Sequence, residues 1–261
     1  MKVVVSWKPG SNLAKNLTDK IIEELKSRGI KYCIFPRCSP CEADGLIVIG
    51  GDGTLLYTLS SAYCETPPIL TIRAGRRAFL LDTDPSEVKE ALDRFLAGEY
   101  WAERHRRLRV NDYYAVNEVA ILTKGRRVTK VDIKTEDTWV YKGLEGDGVI
   151  VSTTLGSTAY ALSAGGPLVD PRAEVILLVP VNPIHLNVRS VVFPPSLKLY
   201  VSVEYPKDEV LVLIDGVREL HEEEMEISLD GPSVIFARMK PRKFYEKLIE
   251  LRSLLPQGTM D

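Results

Sequence analysis

The chain reads as an α/β domain of doubly wound type over residues 1–99, followed by a predominantly β, sandwich-like domain over residues 100–241. Two observations predict the first half. Apolar strand-like runs alternate with helical periodicity across short connections, and Leu46-Ile47-Val48-Ile49 is apolar throughout, as in strands covered on both faces. A third observation predicts the second half. Beyond residue 100, short segments rich in Val, Ile, Leu and Tyr follow at close spacing, separated by Gly, Pro, Asn or Asp. At 261 residues with 45% hydrophobic side chains, the chain can bury two modest cores.

Residues 2–7 form the first expected strand. Leu13, Leu17, Ile21 and Leu25 then recur every four positions as the buried stripe of a helix, which Gly29 ends. Ile30 to Phe35 make a second strand, and residues 45–49 a third. A helix over 54–62 leads to a strand at 69–72. Pro85-Ser86-Glu87 opens a further helix with Val88, Leu92 and Phe95 on one face, closing near Gly98. Strands are expected at 107–111, 113–123, 128–134, 138–141, 148–152, 175–180, 198–204, 210–214, 225–229 and 233–239. One helical candidate, 157–164, interrupts them, and a last helix within 242–256, carrying Phe244, Leu248, Leu251 and Leu255, is expected to pack back on the first domain.

Composition excludes several roles. A formal charge of −2 lacks the basic surplus of a general nucleic-acid or membrane-surface binder. No apolar stretch reaches the roughly 18 residues that cross a bilayer, and Val3-Val4-Val5 is too short for a signal peptide, so a cytoplasmic protein is expected. Cys38-Ser39-Pro40-Cys41 has C-x-x-C spacing, with Cys33 and Cys64 as the other cysteines. With no second such pair and scattered histidines, an ordinary loop is the leading reading, ahead of a zinc site, redox chemistry or a disulfide; a hyperthermophilic source would favour the disulfide. The basic run 104–109 is expected as exposed charge on an edge strand, with a polyphosphate or partner contact as the alternative.

Chemistry concentrates in two stretches. Gly50-Gly51-Asp52-Gly53-Thr54 follows a buried strand and opens a helix, at the sheet end where α/β folds bind ligands. Gly50, Gly51 and Thr54 suit phosphate, but no Lys follows the last glycine, so this is not a Walker A loop. A carboxylate here would repel phosphate unless it removes a proton from an attacking hydroxyl; the alternative is an Asp that caps the helix. Arg73, Arg76 and Arg77, after the strand at 69–72, are candidates for neutralising a transferred phosphoryl group, with solvated loop arginines as the alternative. In the second stretch, Asp147 starts a strand that runs into Gly156-Ser157-Thr158-Ala159-Tyr160. Ser157 and Thr158 are expected to cap the helix and offer hydrogen bonds to a nucleoside, and Tyr160 offers a stacking face.

In this order and spacing the two stretches resemble the NAD kinase family, in its prokaryotic and archaeal form. Gly50-Gly51-Asp52-Gly53-Thr54, Asn117-Glu118, Gly146-Asp147-Gly148, Gly156-Ser157-Thr158-Ala159-Tyr160, Ser163-Ala164-Gly165-Gly166-Pro167 and a late Asp215-Gly216 carry the resemblance across most of residues 45–240. The resemblance implies a Rossmann-like N-terminal domain, a β-rich C-terminal domain and a dinucleotide in the cleft between them. It implies ATP-dependent phosphorylation, with Mg²⁺ or another divalent cation, of the adenosine 2′-hydroxyl of NAD to give NADP. Asp52 would be the base with Gly53 beside it; Asn117 and Glu118 would hold the adenosine ribose and phosphate region. Thr158, Ala159, Tyr160 and Ser163 would line the adenine pocket, and Asp147 would fix another polar group. A homodimer or homotetramer is the implied assembly. The chain departs from the family at Arg77 and Ala78, where many members carry Leu-Gly before Phe-Leu, at Glu145, where some carry a basic residue, and at Val217, where Gln is frequent. The alternatives are a non-catalytic dinucleotide sensor and a lipid kinase of the diacylglycerol or sphingosine type, which shares the glycine loop alone.

Overall fold

The computed structural model describes residues 1–75, 78–205, 209–241 and 244–253. The chain forms two compact units, residues 1–104 with the chain from 235 onward, and residues 105–234. The expected boundary at residue 99 thus stands at 104, and the end of the last strand belongs to the first unit.

The first unit comprises β1 (Lys2–Trp7), α1 (Asn12–Ser27), β2 (Lys31–Ile34), β3 (Gly45–Gly50), α2 (Asp52–Leu59), β4 (Ile69–Arg73) and α3 (Val88–Ala97). Its strands pair in parallel in the order β2-β1-β3-β4, with Val5 opposite Ile47 and Ile49 opposite Ile72. Side chains alternate across such strands, so Val3, Val5, Ile47, Ile49, Leu70 and Ile72 form one core face beneath α1 and α3. On the opposite face Ser6 Oγ lies 2.7 Å from Thr58 Oγ1, joining β1 to α2. The stripe expected on α1 is displaced: Leu13 is exposed and Ala14 takes its place in the core with Leu17, Ile21 and Leu25. Residues spaced by four advance by about 40° per step, so a run of them cannot stay on one face. Gly29 and Gly98 end α1 and α3 at φ of +65° and +76°, as their sequence positions predict.

The cysteines correct the reading of the Cys38-Ser39-Pro40-Cys41 segment as an ordinary loop. Cys33 is bonded to Cys38 and Cys41 to Cys64. The C-x-x-C pair is therefore not a unit; each member is tied to a different partner.

The next strand, β5 (Trp101–Val110), leads into the second unit: β6 (Tyr113–Ala115), β7 (Glu118–Thr123), β8 (Thr129–Lys134), β9 (Trp139–Gly146), β10 (Gly148–Thr153), α4 (Tyr160–Ser163), β11 (Ile176–Val181), β12 (Val191–Phe193), β13 (Leu199–Tyr205), β14 (Val210–Ile214), β15 (Arg218–Leu220) and β16 (Glu224–Arg238). One antiparallel sheet has the order β12-β11-β10-β7-β14-β15; the N-terminal part of β16 pairs with β13, which continues through β8 to β9. Leu108, Val119, Ile121, Val131, Val151, Leu178 and Val201 meet between the layers as a sandwich core. Within the first unit the end of β16 pairs with β4 at Phe236 and Ile69, and α5 (Phe244–Ser253) follows.

The segments 225–229 and 233–239, expected as two strands around Gly231-Pro232, fall on one strand, Glu224–Arg238. A Cβ at Gly231 would lie 2.7 Å from the Arg107 carbonyl, so glycine admits β5 at close range. Pro232, which has no N–H to give a ladder, offers its carbonyl to Arg107 Nε at 2.6 Å. This also corrects the reading of 104–109 as exposed edge charge. Arg107 is 1% exposed, stacks over Tyr114 at 5.1 Å, and burial lowers its pKa to about 10. Its neighbours pair outward, Arg104 with Glu65, Arg106 with Glu174 and Arg109 with Asp230.

Candidate active site

In the first unit, Asp52 is the first residue of α2 and Gly51 the capping position, whose backbone is extended and makes no side-chain bond. Asp52 does not cap the helix. Its two oxygens accept the backbone N–H groups of Phe79 (2.8 Å) and Leu80 (2.9 Å), so the carboxylate is aimed by a neighbouring loop. Each oxygen keeps a further lone pair. A Cβ at Gly50 would lie 2.4 Å from Thr54 Oγ1, so the turn from β3 into α2 requires glycine there, whereas Gly53 faces open space. A pocket of about 430 Å³ opens beside the turn, lined by Lys8, Phe35, Gly51, Gly53, Thr54 and Tyr57 among others. Lys8, at the end of the first strand, was not singled out in the sequence and is the cation of this pocket. Arg73, offered as a phosphate ligand, instead pairs with Asp84 at 2.9 Å. Arg76 and Arg77 lie outside the described residues.

The second unit gathers Asn117, Glu118, Asp215 and the loop before α4. Asp215 is buried at φ +52° and accepts three backbone N–H groups, from Val116 (2.8 Å), Asn117 (2.7 Å) and Glu118 (3.1 Å). Thr153 Oγ1 donates to the Val116 carbonyl and Ser152 Oγ to that of Asn117. This scaffold fixes the Asn117-Glu118 turn from behind. Asn117 Oδ1 and Glu118 Oε2 are buried and have no hydrogen-bond partner among the described residues. Such atoms are costly unless a ligand completes them.

Burial, then the charge of Asp215, raises the Glu118 pKa to about 8, against the opposing N–H of Tyr160. Burial raises Asp215 to about 6, opposed by its three N–H donors and by Arg107. The donors hold Asp215 in its ionised form, so the proton of the pair resides on Glu118 at neutral pH. A neutral carboxyl can both donate to and accept from a ribose diol.

Ser157 and Thr158 do not cap a helix over 157–164. Residues Leu155–Thr158 form a 3₁₀ turn and α4 is one turn long, with Ala159 before it making no side-chain cap. Ser157 Oγ bonds the Val169 backbone and Thr158 Oγ1 the Leu155 carbonyl. Ala159 is half-buried, while Tyr160 and Ser163 are exposed and available to a ligand. Asp147 is exposed and accepts from Asn182 Nδ2 at 2.8 Å. It precedes β10, whereas Asn117 and Glu118 flank Ser152 near the other end. Five residues of strand, about 17 Å, separate the two.

Within the first unit the backbone turns at the carboxyl end of a parallel sheet, the place where doubly wound folds handle nucleotides. Family models identify the kind. The model of the ATP-NAD kinase N-terminal domain matches residues 7–100, and that of the ATP-NAD kinase C-terminal domain matches residues 116–229. The chain is 34% identical to an NAD kinase of Aeropyrum pernix over 91% of its own length and 93% of the relative's, and 41% identical to one of Thermococcus gammatolerans over 77% and 72%. A crystal structure of an NAD kinase from Archaeoglobus fulgidus in complex with ATP superposes with a TM-score of 0.83 at 28% identity, covering 97% of this chain and 99% of that one. Yeast NADH kinase complexed with NADH shares the fold, with a TM-score of 0.88 at 21% identity over 100% of this chain and 90% of that one. The chain belongs to the ATP-NAD kinase family.

Proposed function

We propose that this member of the ATP-NAD kinase family, a kinase acting on NAD, transfers the terminal phosphoryl group of ATP to the adenosine 2′-hydroxyl of NAD, with Asp52 as general base. The observation that carries this reading is the Asp52 carboxylate, seated in a glycine turn and oriented by the Phe79 and Leu80 N–H groups. A ribose hydroxyl is a poor acid, and a carboxylate in hydrogen-bond reach accepts its proton as the bond to phosphorus forms. Most of the remaining barrier reduction comes from positioning and charge neutralisation. Lys8 and the N–H groups of Gly51 and Gly53 suit the donor phosphates, in the pocket beside the turn.

Asn117 and Glu118 hold the ribose of NAD, their unpartnered oxygens meeting its hydroxyls. Tyr160 offers its ring to a base, with Thr158, Ala159 and Ser163 around it, and Asp147 takes a polar group farther along the dinucleotide. Among the described residues no three His, Cys, Asp or Glu side chains converge as a metal site. On this reading Mg²⁺ would enter with the phosphates of ATP. Among the described residues no helix is long and apolar enough to cross a membrane; the proposed compartment is the cytoplasm. The proposed homo-oligomer draws on Ile184, Leu186 and Val192, apolar and exposed on the second unit, Leu186 by 90%.

Incubation with NAD, ATP and Mg²⁺ yields NADP on this reading. Asp52→Asn lowers kcat by about 10²- to 10⁴-fold with little change in the KM for NAD. Unchanged turnover in that variant removes the base, and NAD binding without product removes the kinase.

A further inference from the structure

Arg238 closes β16 inside the first unit and is 3% exposed. Its guanidinium lies over the Phe236 ring at 4.3 Å, and Nε donates to the Glu103 carboxylate. Nη1 lies 3.2 Å from Asp82 Oδ1 and donates to the Leu80 carbonyl at 3.0 Å. Asp82 is itself fixed by the Thr71 hydroxyl at 2.8 Å. Leu80 is the residue whose N–H donates to Asp52 Oδ1. The two main-chain polar groups of one residue thus join a buried arginine to the proposed base. Lys247 Nζ holds the next carbonyl, that of Leu81, at 2.9 Å.

Arg238 Nη2 is buried without a partner among the described residues. A buried guanidinium with an idle donor is poor stabilisation, because desolvating an ion costs as much as the pairing returns unless every donor is used. The retained geometry is better explained by what Nη1 holds in place. We propose that Arg238 is a positioning residue for Asp52: it anchors the Phe79–Leu80 segment whose N–H groups aim the carboxylate. The proposal rests on the assignment of Asp52 as base. It assigns Arg238 no contact with NAD or ATP.

A side chain that acts by aiming another changes turnover more than binding, since small displacements of a reacting group cost about 10- to 100-fold. Arg238→Lys keeps a positive charge but cannot reach Leu80, Asp82 and Glu103 together. It is expected to lower kcat by about 10- to 100-fold, with the KM for NAD within about twofold. Amide hydrogen exchange at Phe79 and Leu80 should accelerate, while that of β1 and β3 stays slow. In the Asp52→Asn background the same substitution should change the residual rate less than about threefold, because residues acting as one unit are not additive. Arg238→Gln provides the same reading should the lysine variant not fold.

Wild-type kcat in a folded variant, additive losses in the double variant, or unchanged exchange at Phe79 and Leu80 each overturn the proposal. So does fast exchange of those two amides in the unaltered protein. If Asp52→Asn is fully active, the base assignment fails instead, while the exchange measurement still decides whether Arg238 orders the segment.

Discussion

Glu118→Gln replaces a buried carboxyl by a side chain of the same shape that cannot ionise, and its effect on stability should depend on pH in a calculable way. The folded protein raises the Glu118 pKa from 4.5 to about 8, chiefly by burial and then by the charge of Asp215. In the unfolded chain the group ionises near 4.5, so between that value and about 8 the folded state binds more protons and stability falls as pH rises. Below 4.5 the acid is neutral in both states and costs nothing. Each pH unit in the window removes about 1.4 kcal/mol. At pH 7 the wild type should therefore carry a penalty of about 3 kcal/mol that Glu118→Gln lacks. For a chain of this size that is a rise in Tm on the order of 6–12 °C.

Thermal unfolding of both proteins at pH 5, 6, 7 and 8 checks it. The difference should be small at pH 5 and grow steadily, with Asp215 common to both. A constant difference across the series, or a glutamine variant less stable at pH 7, would refute the protonated Glu118.

Gly156→Ala should be destabilising by about 1–3 kcal/mol, since its Cβ would lie 2.3 Å from the Asn117 carbonyl and 2.4 Å from Ser152 Oγ. By pushing Asn117 it should also raise the KM for NAD more than it lowers kcat, as steady-state kinetics would report. Reduction of the disulfides should lower stability: Cys41–Cys64 spans 23 residues, worth about 3 kcal/mol by loop-closure entropy. Urea unfolding with and without dithiothreitol measures it, and coincident curves would show that the crosslink constrains nothing.

The legible parts of the molecule are those written in local periodicity. The apolar run 45–50, the α3 face of Val88, Leu92 and Phe95, and the glycines ending α1 and α3 are sequence-local facts, and the structure has them. What could not be read depends on partners distant in the chain. A Gly-Pro pair breaks strands in general, yet Gly231-Pro232 lies inside β16 because β5 brings Arg107 against it. A charge run looks solvated until one member turns inward to a carbonyl 125 residues away. The four cysteines pair across loops, which spacing does not encode. The glycine-loop Asp52 and the Asn117-Glu118 turn were visible as motifs, but not Arg238, Lys8 or the part played by Asp215. Asp215 was seen only as a late Asp-Gly element; its positive φ and its burial were the missing signals.

The two units use one device in opposite senses. In the second, the carboxylate of Asp215 is the anchor: it consumes three N–H groups to order a turn, and the side chains on that turn, Asn117 and Glu118, are left with unsatisfied oxygens. In the first, the half-buried carboxylate of Asp52, the proposed base, is the group being aimed and the N–H groups do the ordering, themselves held from behind by Arg238. The difference predicts opposite responses to the same isosteric change. Asp215→Asn exchanges one acceptor for a donor that faces backbone N–H groups, so it should disrupt the turn and cost about 2–4 kcal/mol of stability. Asp52→Asn faces the same conflict with only two N–H groups on a segment that Arg238 still anchors, so its loss of stability should be smaller while its loss of turnover is larger. Measured side by side, a more stable Asp215→Asn than Asp52→Asn would show that the anchor and the reactive group have been assigned the wrong way round.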